Sequence, residues 1–140
     1  MLPRGIRNNN PLNIRRTADR WKGLMLTQTD REFFQFQSLE YGWRAAIRIL
    51  TVTYYGKYRL ETIRKIVSRW APPTENNTAA YISTVSRITG ISPDEPLGNP
   101  AEHPAPWLMT LAAMAIQENG SVSLDYMAML RGWELCRNEG

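Results

Sequence analysis

Nine prolines punctuate this chain, and they decide where helices can run. Five of them fall within the 16 residues "ISPDEPLGNPAEHPAP", where missing amide donors and fixed φ angles rule out a continuous helix. Pro72 and Pro73 close off an earlier apolar stretch in the same way. Between these stops the apolar residues recur with helical period. Trp43, Ala46, Ile47, Leu50 and Tyr54 follow Glu40 up to Gly56, and Ile63, Ile66 and Val67 repeat the pattern from about Leu60 to Trp70. In "TENNTAAYISTVSRITG", Asn77 or Thr78 is placed as N-cap, Tyr81, Ile82, Val85 and Ile88 share one face, and Gly90 ends the run. After the proline-rich segment, a Trp107 to Gln117 helix leads to Glu118, and Leu124, Met127, Leu130 and Leu135 mark a terminal amphipathic helix.

Only one stretch has a different period. "WKGLML" and "EFFQFQS" flank the polar "TQTDR", and Phe34 and Phe36 alternate with Phe33 and Gln35. This predicts a small β-hairpin with Asp30 and Glu32 near its tip. Ahead of it, "RGIRNNNPLNIRR" has the composition of an ordered loop, because Asn side chains bond to nearby backbone in competition with helix. The amides there suit two uses, pinning the loop or contacting sugar hydroxyls in a cleft. A single domain over residues 1–140 is expected, mainly α with an α+β character. Its parts are an Asn-rich loop and hairpin over 1–39, helices over 40–90, a Pro-rich linker over 91–105, and the Glu118 helix with the terminal helix over 106–140.

One Cys and one His exclude a disulfide framework and give no support to a Cys/His metal site, so no cofactor or metal is expected. Cys136 reads as a small apolar residue and His103 as a loop residue between prolines. No apolar run reaches the roughly 18 residues that span a bilayer, and the N-terminus lacks the apolar core of a signal peptide. Residues 1–100 carry 15 basic and 8 acidic side chains, net +7, whereas residues 101–140 carry 2 and 5, net −3. Such a basic body suits a polyanion, either nucleic acid or an anionic cell-wall polymer.

Glu118 runs against the helix dipole. In "LAAMAIQENG" it closes a mostly apolar rod, with Asn119 and Gly120 as a C-cap, where natural helices prefer cations. Helix dipole and desolvation together favour the protonated form of a carboxyl in such a place, which is what a general acid requires. The competing reading is a solvated Glu in a last helical turn.

Several segments resemble a known family. "NNNPLNI", "WKG" and the hairpin ending "FFQFQSLEYGWRAAIRIL" look like the later part of lysozyme-like peptidoglycan glucosaminidases and lytic transglycosylases. "ENNTAAYISTV" is similar to the Tyr-bearing cleft helix of lytic transglycosylases, and "LAAMAIQENG" to their catalytic helix, with Asn119 in place of a Ser. The order differs, since the Glu helix here comes last, and a circular permutation accounts for that. Over nearly its full length the chain also resembles short phage-encoded virion and lysis proteins that begin "RGIRNNNPGNIR", with Leu12 here where they usually have Gly.

What the resemblance implies is a circularly permuted lysozyme-like domain that cuts the MurNAc-GlcNAc bond of peptidoglycan, with Glu118 as general acid and base. An inverting hydrolase needs a second carboxylate to activate water, and Asp30 or Glu32 is expected there, Asp30 being preferred. A lytic transglycosylase manages with Glu118 alone. Tyr81 would position the substrate or Glu118 through its hydroxyl. Asn8, Asn9, Asn13, Glu32 and Glu75 are the expected substrate contacts, although Glu75 and Glu40 also read as a cap and a helix N-terminus. The expected partners are glycan strands and other phage virion or lysis proteins, with no nucleic acid and no membrane span. Synthesis in the cytoplasm and action on the periplasmic wall after release or delivery follow from the same resemblance. Two alternatives stand beside it: a non-catalytic virion structural protein of the same fold, and a small helical nucleic-acid binder using Arg4, Arg7, Arg15, Arg16, Arg20 and Lys22.

Overall fold

The computed structural model describes residues 2–120 and 124–138. The chain is mainly helical, as the apolar spacing predicts, and it divides into two compact units, Met1–Arg48 with Glu118–Gly140, and Ile49–Gln117.

In the first unit, the opening loop begins with one helical turn, α1 (Arg4–Arg7), followed by the Asn run. The helix α2 (Leu39–Arg48) packs against α6 (Tyr126–Asn138). Gly132 allows this close approach: a β-carbon there would lie 2.9 Å from both the Glu40 carbonyl oxygen and Trp43 Cβ. The core is built from Leu12, Phe34, Phe36, Trp43, Ala46, Ile47 and Ala128, all buried. Leu12 is fully buried there.

The expected hairpin is reduced to two isolated antiparallel bridges, Arg15 with Phe33 and Leu24 with Phe36. The alternation is real, but side chains take over the places of a backbone ladder. Along one edge, the amides of Phe34 and Phe36 donate to the carbonyls of Ile14 (3.0 Å) and Asn8 (2.9 Å). The carbonyls of the same two residues accept from side chains instead, Asn10 Nδ2 at 2.9 Å and Asn9 Nδ2 at 3.1 Å. Along the other edge, Gln35 N donates to Gln28 Oε1 at 2.7 Å and Gln28 Nε2 donates back to the Gln35 carbonyl at 2.8 Å. A side-chain amide presents the same donor and acceptor as a peptide group, so the segment is satisfied without extended strands.

In the second unit, the helical run that continues from α2 adopts π-helical geometry over Ile49–Lys57. The helix α3 (Ile63–Trp70) starts at Thr62, whose Oγ1 accepts from Lys65 N at 3.2 Å, and packs on α4 (Thr78–Thr89). Asn77 is the N-cap of α4, accepting from Ala80 N at 3.1 Å, and Gly90 ends it at φ 74°. Arg69 of α3 stacks over Tyr58 at 4.1 Å and over Tyr54 at 5.6 Å. Burial pushes the Tyr54 phenol up to about 12, a rise the Arg69 charge partly opposes.

The helix α5 (Pro104–Asn119) begins inside the segment expected to be linker. Pro104 and Pro106 lie in its first turn, where amide hydrogens have no intrahelical acceptor and their absence costs nothing. The stop imposed by prolines therefore ends at residue 103, two residues earlier than composition alone suggests.

Candidate functional site

In the first unit, the Asn run, the Asp30 turn and the last residues of α5 converge. Asn10 is the keystone of the loop. Fully buried, it accepts from Ile14 N at 2.9 Å and donates to the carbonyls of Ile14 at 3.0 Å and Phe34 at 2.9 Å. The loop it shapes is joined to the C-terminal end of α5 by two side-chain bonds. Asn119 Nδ2 donates to the Pro11 carbonyl at 2.7 Å, and Asn13 Nδ2 donates to Glu118 Oε1 at 3.0 Å. Asn13 reaches Glu118 from the left-handed region, φ 52°, which Asn tolerates better than most residues.

Asp30 sits in a different electrostatic setting. Its Oδ1 accepts from Arg4 Nη2 at 2.6 Å and from the amides of Glu32 at 2.9 Å and Phe33 at 3.0 Å. Its Oδ2 accepts from Arg4 Nε at 2.7 Å and Asn8 Nδ2 at 3.0 Å. The Arg4 guanidinium, above all, holds this carboxyl far below the ordinary carboxylate range, with Asn8 and the two amides adding to the effect. Five donors on two oxygens leave Asp30 a poor acceptor for a water proton. Glu32 is exposed and faces Arg4 at 3.4 Å and Arg15 at 3.7 Å. In this unit, then, the Asn8, Asp30 and Arg4 cluster ties the first helical turn to the bridged segment.

The expected site residues therefore separate. Asn13 and Glu118 are in direct contact, and Asn8 and Asp30 are in direct contact. Asn9 donates to the Phe36 carbonyl, a backbone role. Glu40 lies in the first turn of α2 and accepts from Arg131 Nη2 at 2.8 Å, which lowers its titration range. Tyr81 and Glu75 belong to the second unit, Tyr81 buried on α4 and Glu75 exposed in the turn before it. Arg4, Asn10, Gln35 and Asn119 escaped the sequence reading as site-shaping residues. For Asn10 and Asn119 the signal was available, since each is an Asn beside a residue already singled out. For Arg4 there was none, its partner lying 26 positions away. Among the described residues no group of His, Cys, Asp and Glu is placed to hold a metal ion, and no helix is long and apolar enough to cross a membrane.

No family model matches this sequence. The chain is 42% identical over 134 residues to Protein P5 of Pseudoalteromonas phage PM2, an alignment that spans 94% of this chain and 80% of that protein.

Proposed function

Starting from the fact that this chain belongs to the family of the phage PM2 Protein P5, we propose that it cleaves the glycan strand of peptidoglycan, with Glu118 as the single catalytic carboxyl of a lytic transglycosylase reaction. The domain is read as lysozyme-like and circularly permuted, with the catalytic helix moved to the C-terminal side. One observation carries the reading: Glu118 ends α5, and its carboxyl is held by an amide from the Asn-rich loop, Asn13 Nδ2 to Oε1 at 3.0 Å.

Cleavage of a glycosidic bond needs a proton on the leaving oxygen and relief of the positive charge that develops at C1. In this scheme the protonated Glu118 carboxyl gives its proton to the bridging oxygen as the C1–O bond breaks. The resulting carboxylate then takes the proton of the muramyl C6 hydroxyl, whose oxygen closes on C1 to give the 1,6-anhydro ring. Glu118 ends protonated, ready for the next bond, and no water is consumed.

The state of Asp30 favours this single-carboxyl scheme over an inverting hydrolase. A general base must offer a lone pair to water, and both Asp30 oxygens are already engaged by Arg4, Asn8 and two amides. Asp30 is therefore read as a structural anchor. Tyr81 and the exposed Glu75 are not assigned a catalytic role.

The test is mass spectrometry of muropeptides released from purified sacculi by the wild type and by Glu118→Gln. Anhydro-muramyl products that disappear in the variant support the proposal. Reducing-end products would replace the transglycosylase by a hydrolase. No release by folded wild type would overturn the enzymatic reading in favour of a non-catalytic virion component.

A further inference from the structure

We propose that Lys57, Arg59, Lys65 and Arg69 form an anion-binding surface on the second unit, which takes the free carboxylates of the peptide stems on wall glycan. The identity of the polymer rests on the glycan-cleaving reading, whereas the surface uses none of the residues assigned to that reaction. Residues 57–70 carry five basic side chains against one acidic. Arg64 is engaged, since its Nε and Nη2 donate to Asp94 at 2.8 and 3.1 Å. The other four cations are exposed, and among the described residues none of them lies within ion-pair distance of a carboxylate.

Two helix ends build the cluster. The π-helical run closes with Tyr58 N donating to the carbonyls of Thr53 at 3.1 Å and Tyr54 at 3.2 Å, and with Leu60 N donating to the Tyr54 carbonyl at 2.9 Å. That closure puts Arg59 in the left-handed region, φ 59°. Glycine is the ordinary residue at such a helix end, because a β-carbon is strained there. One cation near each helix end answers the dipole, and Lys57 and Arg69 already do so. Arg59 therefore holds a strained backbone for a charge the fold does not require. Lys65 and Arg69, both exposed and one turn apart on α3, repel each other, and a bound anion would relieve that repulsion.

The arrangement also selects the anion. The Arg69 guanidinium stands over Tyr58 at 4.1 Å and over Tyr54 at 5.6 Å, and Lys57 Nζ stands over Tyr58 at 5.3 Å. A guanidinium held on aromatic rings is pre-organised, and its planar fork of donors matches the two oxygens of a carboxylate. The Tyr58 ring is engaged by cations, whereas single-stranded nucleic acid needs aromatic faces on which bases stack. Nor do the four cations run along one helix, as an element reading a DNA groove would present them.

The test is co-sedimentation with purified sacculi, in a Glu118→Gln background so that the wall stays intact. Adding Arg59→Gly and Lys65→Gln removes two charges and leaves Arg69, Tyr54 and Tyr58 in place. Half-saturation should rise about tenfold, as for two exposed ion pairs. The melting temperature should hold or rise, because Gly relieves the backbone at position 59. Converting the stem carboxylates of the sacculi to neutral amides should weaken the parent and bring it toward the charge-depleted variant. Equal binding by the two proteins, including none by either, would overturn the assignment, as would a defect of the same size on amidated sacculi. So would a variant that keeps its affinity for sacculi but loses affinity for duplex DNA. Carboxylate-dependent binding without muropeptide release by wild type would sink the enzyme and leave the surface. Glu118-dependent release with binding unmoved by the two substitutions would do the reverse.

Discussion

The carbonyl oxygen of Asn9 lies over Gly42 so closely that a β-carbon at that position would overlap it. The contact locks the Asn run onto the first turns of α2, and it involves backbone on both sides. Neither partner can rotate away as a long side chain would. Gly42→Ala should therefore destabilise by about 3 kcal/mol, the upper part of the range for overpacking. Gly56→Ala is the internal contrast. Its nearest neighbour, the Thr51 carbonyl oxygen, is at an ordinary 3.8 Å, so the change should be neutral or stabilising by up to about 1 kcal/mol. Urea denaturation of both variants checks the pair, and equal losses would refute the steric argument.

Asp30 makes the stability of the chain depend on pH with a definite sign. Its folded-state titration is depressed below the ordinary value of 3.8 by Arg4, Asn8 and the amides of Glu32 and Phe33. A group lowered on folding contributes stability that is complete above its unfolded value and is lost as pH falls toward the folded one. Wild type should weaken as pH drops below about 4, and Asp30→Asn should show a shallower loss over the same window. At pH 7, Asp30→Ala should cost on the order of 2 kcal/mol, because two amides and Asn8 lose their acceptor. Thermal melts from pH 2 to 7 provide the measurement. If Asp30→Asn also retains muropeptide release, its place as an anchor and not a base is established.

Much of the helical architecture was legible because its signals are local. Asn77 and Gly90 mark the ends of α4 by side-chain capping and a left-handed turn, both readable from single residues. The alternation of Phe34 and Phe36 located the β-like segment correctly. What it could not reveal is that Asn9, Asn10 and Gln28 supply ladder groups from their side chains, since amide composition is the same whether it serves backbone or ligand. The π-helical run from Ile49 to Lys57 was invisible for another reason: apolar periodicity does not resolve a hydrogen-bond register that differs by one residue. At the site, Glu118 stood out through its conflict with the helix dipole. Its partner Asn13 is 105 positions away, and only folding brings the two together. Asp30 illustrates the converse, for a turn carboxylate looks the same in sequence whether it activates water or satisfies an Arg.

The ion pair between Glu40 and Arg131 joins α2 to α6, yet it should contribute little. Arg131 is 51% exposed in its side chain, and water screens the attraction. Arg131→Ala is expected to cost no more than about 1 kcal/mol. Gly132→Ala, one residue along, should cost more, roughly 2 kcal/mol, because its β-carbon would press on the Glu40 carbonyl and Trp43. Their order in chemical denaturation distinguishes packing from charge as the basis of this helix contact.

Asn10 offers the sharpest test of how the loop is held. Its side chain serves three backbone groups at once, accepting from Ile14 N and donating to the carbonyls of Ile14 and Phe34, and it is fully buried. Asn10→Ala leaves all three without that partner and should cost about 3 kcal/mol. Asn10→Asp preserves shape and the bond from Ile14 N, but it turns a carboxylate oxygen toward two carbonyls in a dry environment. That is worse than a missing group, because repulsion and desolvation add to the lost bonds. Asp at this position should therefore be more damaging than Ala at pH 7. The gap should narrow as the pH is lowered and the carboxyl takes up a proton, becoming able to donate to one of the two carbonyls. Melting both variants at pH 7 and pH 5 measures it. Equal stability at pH 7 would mean that water reaches Asn10, and the amide would then not be what holds the loop in place.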